Sequence, residues 1–382
     1  MSENKIKKIK PSLSSREDTF EEEDTTSESI LKDPFDPKKI EIKTKQLSID
    51  LLIKRLFAKP AEIDLYPEFQ RKDDLWDEIK QSRLIESILI SFPLPAFYFD
   101  GSDDNKWLVI DGLQRLSTLR NFVILKSLKL TGLEFLSKLN DKGFDELDRT
   151  LQRKIEETQV VAYITNPGTP PEVMYNIFKR INTGGLILEP QEIRHALNQG
   201  VPAKFIESLS NLSSFKDATL NSIPTKRMAD RELVTRFVAF YTIGYANYRP
   251  DLDTFMNSAL VNLKILNETE REDIKLNFDK AMKSAIKIFG KWAFRKANYY
   301  PNKRSKINKP LFEVWSVLLA KLDQGEIKIL ESKREFLMNS FSELCNSDDQ
   351  FIASITNATG DETRVKRRLE KIENLIKDVI SK

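Results

Sequence analysis

Leu108-Val-Ile-Asp-Gly-Leu-Gln-Arg-Leu-Ser-Thr-Leu119 decides how this chain is read. Trp107 to Ile110 is a short apolar run of strand type. Asp111-Gly112 breaks it, and a helix from Leu113 to about Leu125 follows at once. The turn is also a chemical candidate. Gly112 has no Cβ, so a ligand can come close to the backbone. The first helical N–H groups lack partners and carry the positive end of the dipole, which suits phosphate. Arg115, in the first turn, is placed for a bidentate phosphate contact. Asp111 is a candidate for holding a divalent cation or orienting water, and Gln114 for positioning a water or a base edge. The plainer alternative is that Asp111 caps the helix and Arg115 pairs with it.

Outward from this turn, strands and helices mix over residues 41–200. Ile63–Phe69, Ala96–Phe99 and Val160–Ile164 read as further strands. A helix starts near Asp73 or Asp74 and turns Ile85, Ile88 and Leu89 toward a core. Thr169-Pro-Pro-Glu172 reads as a capping box with Pro at the first helical position. Its helix stops at Asn182-Thr-Gly-Gly185, and another runs from Pro190 to Gly200. Residues 201–382 read as helices only. Their apolar stripes include Leu233–Tyr241, Ile274–Phe289 and Val365–Val379. Residues 1–40 carry eight basic and ten acidic residues and few apolar ones, and are expected to be disordered.

Composition excludes several chemistries. The 382 residues contain one His and one Cys. Cys345 cannot form an intrachain disulfide or a Cys-rich zinc site. His195 alone cannot build a His-ligated zinc site or an HNH-type nuclease centre. There is no run of 18 apolar residues and no apolar signal region, so neither a membrane span nor a signal peptide is expected. A cytoplasmic location is the default. The net charge of +3 says little, but its distribution says more. Lys291–Pro310 holds seven basic residues and no acid. There Arg295, Lys296, Lys303, Arg304 and Lys306 are interleaved with Trp292, Phe294, Tyr299 and Tyr300, a nucleic-acid-binding composition. The last helix adds Arg364, Arg367 and Arg368. The bland alternative is a solvated linker whose aromatics are core.

Three further clusters are candidates to join the Asp111 turn. Gln70 and Arg71, in Pro67-Glu-Phe-Gln-Arg71, sit at a strand end before Trp76; Arg71 otherwise covers that indole. Lys179, Arg180, Asn182, Thr183 and Gly184 gather donors around a glycine turn able to close over a phosphate, or they form an ordinary helix stop. Gln191 and Arg194 share one face of the next helix at i and i+3. His195 beside them reads more readily as structural than catalytic.

Taken in order, Phe69-Gln-Arg71 with Trp76, Val109-Ile-Asp-Gly-Leu-Gln-Arg115, Arg180-Ile-Asn-Thr-Gly-Gly185 and Leu188-Glu-Pro-Gln-Glu-Ile-Arg194 resemble the N-terminal domain family of GmrSD-type restriction systems. Asp230-Arg-Glu-Leu-Val-Thr-Arg236 extends a looser likeness. The resemblance implies a fold similar to ParB and sulfiredoxin, and nucleoside triphosphate binding and hydrolysis coupled to sensing foreign DNA. The family's Asp-Gly-Gln-Gln-Arg motif carries over to Asp111, Gly112, Gln114 and Arg115. Leu113 stands where the family commonly has Gln, which weakens any role that needs two amides. Many relatives continue into an HNH nuclease, which a chain with one His does not contain.

The expectation is therefore α+β: a ParB/sulfiredoxin-like small mixed sheet with helices at 41–200, followed by an all-helical domain at 201–382. Expected partners are a nucleoside triphosphate with Mg2+ (Asp111 as its metal contact), DNA, a nuclease partner protein and a second copy of the chain. Asp111, Gln114 and Arg115 are the expected catalytic residues. Gln70, Arg71, Gly112, Arg180, Asn182, Thr183, Gly184 and Arg194 are expected to bind nucleotide. The alternatives are a non-hydrolysing, nucleotide-gated DNA-binding module or interaction subunit, and a metal-dependent DNA nickase.

Overall fold

A computed structural model describes residues 21, 41–65, 76–103, 105–167, 169–181, 189–298 and 300–382. Apart from Glu21, the segment expected to be disordered lies outside them. The chain divides into two compact units, one over Leu31–Gly200 and one over Val201–Lys382 with Met1–Ile30.

The first unit is built on β1 (Ile42–Ser48), β2 (Ile63–Asp64), β3 (Phe97–Asp103), β4 (Lys106–Asp111) and β5 (Gln159–Thr165). They form a mixed five-stranded sheet in the order β1-β5-β3-β4-β2. β1 pairs antiparallel with β5, β3 parallel with β5 and antiparallel with β4, and β2 parallel with β4. Among the described residues six α-helices accompany it: α1 (Ile49–Phe57), α2 (Glu78–Leu89), α3 (Leu113–Leu119), α4 (Arg149–Glu157), α5 (Pro171–Ile181) and α6 (Pro190–Leu197). Strand alternation sends Phe97, Phe99, Trp107, Val109, Val160, Ala162 and Ile164 into one core, shared with Leu52, Ile85, Ile88, Leu116 and Ile155 from the helices. Burying each of the two phenylalanines contributes about 1.5–3 kcal/mol. On the opposite face Ile110 joins Met174, Tyr175, Ile193 and Ala196 of α5 and α6.

Several local readings need adjusting. α2 starts at Glu78, where the Asp77 carboxylate accepts from the Lys80 N–H at 2.8 Å; Asp73 and Asp74 lie outside the described residues. α5 starts at Pro171, and the Thr169 hydroxyl donates to the Asn166 carbonyl at 2.8 Å. α3 runs only to Leu119 and continues as a wider π-turn over Arg120–Ile124. β1, α1 and α4 are additions to the sequence reading.

The second unit is helical: α7 (Val201–Ser210), α8 (Ser213–Ala218), α9 (Ala229–Thr242), α10 (Leu252–Ile265), α11 (Glu268–Phe289), α12 (Lys309–Lys321), α13 (Gln324–Ser332), α14 (Arg334–Ser347), α15 (Asp349–Thr356) and α16 (Glu362–Ser381). The predicted stripes on α9, α11 and α16 meet in one core around Phe237, Phe278, Phe312 and Trp315. A buried ionic cluster crosses that core. Glu313 of α12 lies 2.7 Å from Arg368 of α16 and 3.9 Å from Arg236 of α9. Among the described residues no helix is long and apolar enough to cross a membrane.

Candidate functional site

At the carboxyl end of β4 the chain turns through Gly112, whose φ is 101°. A side chain there would be strained. It would also collide with the Phe97 ring, because an added Cβ would sit 2.3 Å from Cδ1. The glycine thus permits close packing of the helix start on β3. The side expected to admit a ligand is filled by that ring.

Arg115 is buried and fully engaged. Its Nη1 donates to the Pro95 carbonyl. Nη2 donates to the Ala96 carbonyl at 3.1 Å and to Asp111 Oδ2 at 2.7 Å. The guanidinium also lies over the Phe97 ring, 4.4 Å from its centroid. Burial lowers the guanidinium's pKa, and Asp111 opposes that shift. The guanidinium expected to meet phosphate is thus already held by three protein oxygens. The side chain fastens the start of β3 and the Asp111 carboxylate to one another.

Gln114 is used in a similar way. Its Oε1 accepts the Trp76 N–H at 3.1 Å, tying the approach to α2 to the site. Asp111 differs from its neighbours. One oxygen is held by Arg115, yet 34% of the side chain remains exposed. Three of the four motif residues therefore form a scaffold, and the fourth faces outward.

Across the sheet, Tyr98 is the register partner of Asp111. It stacks on Tyr163 of β5 with ring centroids 4.9 Å apart. Burial, then Tyr163 and Asp111, raise the Tyr98 phenol above its ordinary pKa, against the pull of Arg115. Sequence reasoning passed over Tyr98. The signal was present in Phe97-Tyr98-Phe99, where alternation puts Tyr98 on the face opposite the core phenylalanines.

The α5–α6 layer packs on Ile110, the residue before Asp111. Arg194 is only 1% exposed, and its Nη1 donates to Gln191 Oε1 at 2.8 Å. Its guanidinium sits 5.9 Å from the Tyr175 ring centroid. Arg194, expected to bind nucleotide, is therefore a buried side chain in this layer. His195 is buried beside it. Arg180, in the last turn of α5, is exposed. Gln70, Arg71, Asn182, Thr183 and Gly184 lie outside the described residues.

Residues 53–198 match the family model of the GmrSD restriction endonuclease, N-terminal domain. This part of the chain is similar to GmrSD N-terminal domains. No curated protein and no solved structure matches the chain. The GmrSD match contains the whole Asp111 turn, both its neighbours on β3 and the α5–α6 layer. Among the described residues no three His, Cys, Asp or Glu side chains gather as a metal cage. Mg2+ does not require one, since it takes one or two carboxylates and completes its shell with water and substrate phosphates. Asp111 suits a cation that arrives on a nucleotide.

The expected DNA contacts lie outside the GmrSD match, and the structure separates them. Lys303, Arg304 and Lys306 are exposed. Arg364 donates to the Asn357 carbonyl and Arg367 to Gln350 Oε1, both on the surface. Two of the expected contacts are placed inside the helical unit. Arg295 is buried, donating to the Ser305 carbonyl at 2.9 Å, and burial together with Arg304 lowers its pKa to about 10. Arg368 is 0% exposed and locked to Glu313. Trp292 and Phe294 are core residues, so their rings are not open to bases.

Proposed function

We propose that this chain is a nucleoside triphosphate-binding and -hydrolysing, DNA-sensing component of a restriction system, with Asp111 as its chemical residue. Similarity to the GmrSD family points to a restriction-system component. The observation that carries the finer reading is the arrangement around Asp111: Gly112, Gln114 and Arg115 are all used internally, and together they hold one partly exposed carboxylate at the end of a sheet strand. That expenditure of three polar or special residues makes sense if the carboxylate's position matters.

When bound, Mg2+ neutralises charge on the triphosphate. Asp111 holds the hydrated cation or orients the attacking water. Arg115 fixes the carboxylate's rotamer. With Arg115 and Arg194 committed inside, Arg180 supplies the cation for the phosphoryl oxygens, with Asn182, Thr183 and Gly184 as further binding residues. Nucleotide state then sets the affinity of the helical unit's basic surface for DNA. A partner protein cuts the DNA, and a second copy of the chain completes the assembly.

The test is phosphate release and nucleotide binding over the four triphosphates, with and without duplex DNA, for wild type and Asp111→Asn. Hydrolysis lost with binding retained is the expected result. No hydrolysis by wild type under any condition refutes the enzyme. Leu113, together with a Gln114 amide already engaged by the Trp76 backbone, favours one second reading, a nucleotide-gated module that binds without turnover. Nucleotide binding by wild type with no phosphate release identifies it.

A further inference from the structure

Beside Asp111 the sheet carries two tyrosines that the motif does not use. Tyr98 of β3 is in register with Asp111 on one side and with Tyr163 of β5 on the other, and Tyr163 is in register with Thr44 of β1. Thr44, Tyr163, Tyr98 and Asp111 thus form one row across four neighbouring strands. Alternation puts both tyrosines on the face opposite Phe99, Ala162 and Ile164 of the core. Their rings stack with centroids 4.9 Å apart and 26° between the planes.

The stack is left open at its outer end. Tyr98 packs against the apolar cluster of Ile110, α5 and α6, whereas Tyr163 belongs to none of the apolar clusters of the described residues. Both rings are partly exposed, and Thr44, the small residue beside Tyr163 in the row, is exposed. Among the described residues neither hydroxyl has a hydrogen-bond partner, and neither is buried. On the same face the next polar pair is closed on itself, with the Thr165 hydroxyl donating to Asp100 Oδ1 at 3.2 Å. A cross-strand aromatic pair that served packing alone would turn its rings to a core. Here the outer ring has no core to meet, and an open aromatic ring on a sheet face is a surface on which a nucleobase stacks. The spacing agrees. Strands lie about 4.7–4.9 Å apart, so Asp111 and Tyr163, two strands apart, are separated by about 9–10 Å at the backbone. A nucleotide laid across the strands spans from one to the other.

Resting on the nucleotide reading proposed above, we infer that Tyr163, backed by Tyr98, is the nucleobase subsite of the Asp111 centre. The base stacks on the Tyr163 ring beside Thr44, and the triphosphate reaches past Tyr98 to the carboxylate. The ligand is a mononucleotide, because the phosphate centre stands in the same row as the ring.

Calorimetry on the full chain tests this with the four nucleoside triphosphates and with inorganic triphosphate, each with Mg2+. The variants are Tyr163→Leu, Tyr163→Phe and Thr44→Trp, the last at an exposed position where an added indole occupies the place of the base. Expected is a roughly tenfold loss of nucleotide affinity in Tyr163→Leu, the order of one base–aromatic stack. Thr44→Trp should show a similar loss, Tyr163→Phe none, and inorganic triphosphate should bind all four proteins equally. Nucleotide affinity unchanged in both Tyr163→Leu and Thr44→Trp overturns the subsite and leaves the nucleotide reading standing. Equal loss for nucleotide and inorganic triphosphate makes the ring structural, and a loss in Tyr163→Phe as large as in Tyr163→Leu assigns the contact to the hydroxyl; either overturns stacking. Single-stranded DNA bound tenfold more weakly by Tyr163→Leu, with nucleotide affinity unchanged, gives the ring to a nucleic-acid strand instead. No nucleotide binding by wild type overturns the subsite together with the reading it rests on.

Discussion

Replacing Arg115 separates a structural latch from a substrate ligand. In Arg115→Ala, the Pro95 and Ala96 carbonyls and the Asp111 carboxylate all lose their donor, and the Phe97 ring loses the cation stacked on it. Because Asp111 is 34% exposed and can be rehydrated, the cost is that of unpaired polar groups, about 1–3 kcal/mol. For a unit of this size, that corresponds to a drop in Tm of roughly 2–12 °C. Arg115→Lys keeps the charge, but one ammonium nitrogen cannot span three acceptors arranged for a fork, so a smaller loss of the same kind is expected. Thermal unfolding of the full chain measures the magnitude. Hydrogen exchange over residues 95–111 locates it, because the start of β3 and the end of β4 should lose protection together. A phosphate ligand behaves oppositely: its removal leaves the fold intact and weakens nucleotide binding. An Arg115→Ala protein with unchanged Tm, unchanged exchange at 95–111 and lost nucleotide affinity would refute the latch.

Two further outcomes follow from buried charges. The Glu86 carboxylate accepts the N–H groups of Glu134, Phe135 and Leu136 at 3.0, 2.7 and 2.7 Å. Burial raises its pKa, but these donors and Arg83 outweigh that and hold it below the ordinary value. Its contribution to stability is therefore present above the unfolded pKa of about 4.3 and is lost as pH falls through the folded value. Glu86→Gln should cost about 1–3 kcal/mol at neutral pH through a donor facing a donor, and should flatten the acid side of a Tm-against-pH curve; an unaltered acid limb counts against the assignment. Arg368→Met should destabilise the helical unit by about 3–5 kcal/mol by stranding Glu313, leaving the DNA affinity of the folded protein unchanged. A variant of wild-type stability with lost DNA binding would restore Arg368 as a DNA contact.

The Asp111 turn was legible because an apolar strand, a glycine and an amphipathic helix follow one another without interruption. β1 was not, because its first five residues are exposed and Ile42-Lys-Thr-Lys-Gln-Leu-Ser48 shows no buried alternation to detect. The pairing of Arg115 with Asp111 was legible as the plainer alternative, but the remaining partners of Arg115 and Gln114 are backbone groups at Pro95, Ala96 and Trp76, which no side-chain motif can advertise. Arg368 and Arg295 looked like part of a basic surface because charge is visible in sequence and burial is not. The partner that neutralises Arg368 stands 55 residues earlier, at Glu313. Lys303, Arg304 and Lys306 sit in a loop with few packing demands, and there the composition alone placed them on the surface.

The Glu313–Arg368 pair also has a bearing on the order of synthesis. Glu313 emerges from the ribosome well before α16, the last of the described helices. Until Arg368 follows, closing the core around α12 would bury a carboxylate lacking its main partner, which is strongly unfavourable. The earlier helices of this unit can form while translation continues, but their final packing waits until Arg368 has been made. A ribosome stalled before α16 should therefore carry a helical unit that is collapsed but still open to chaperones and proteases.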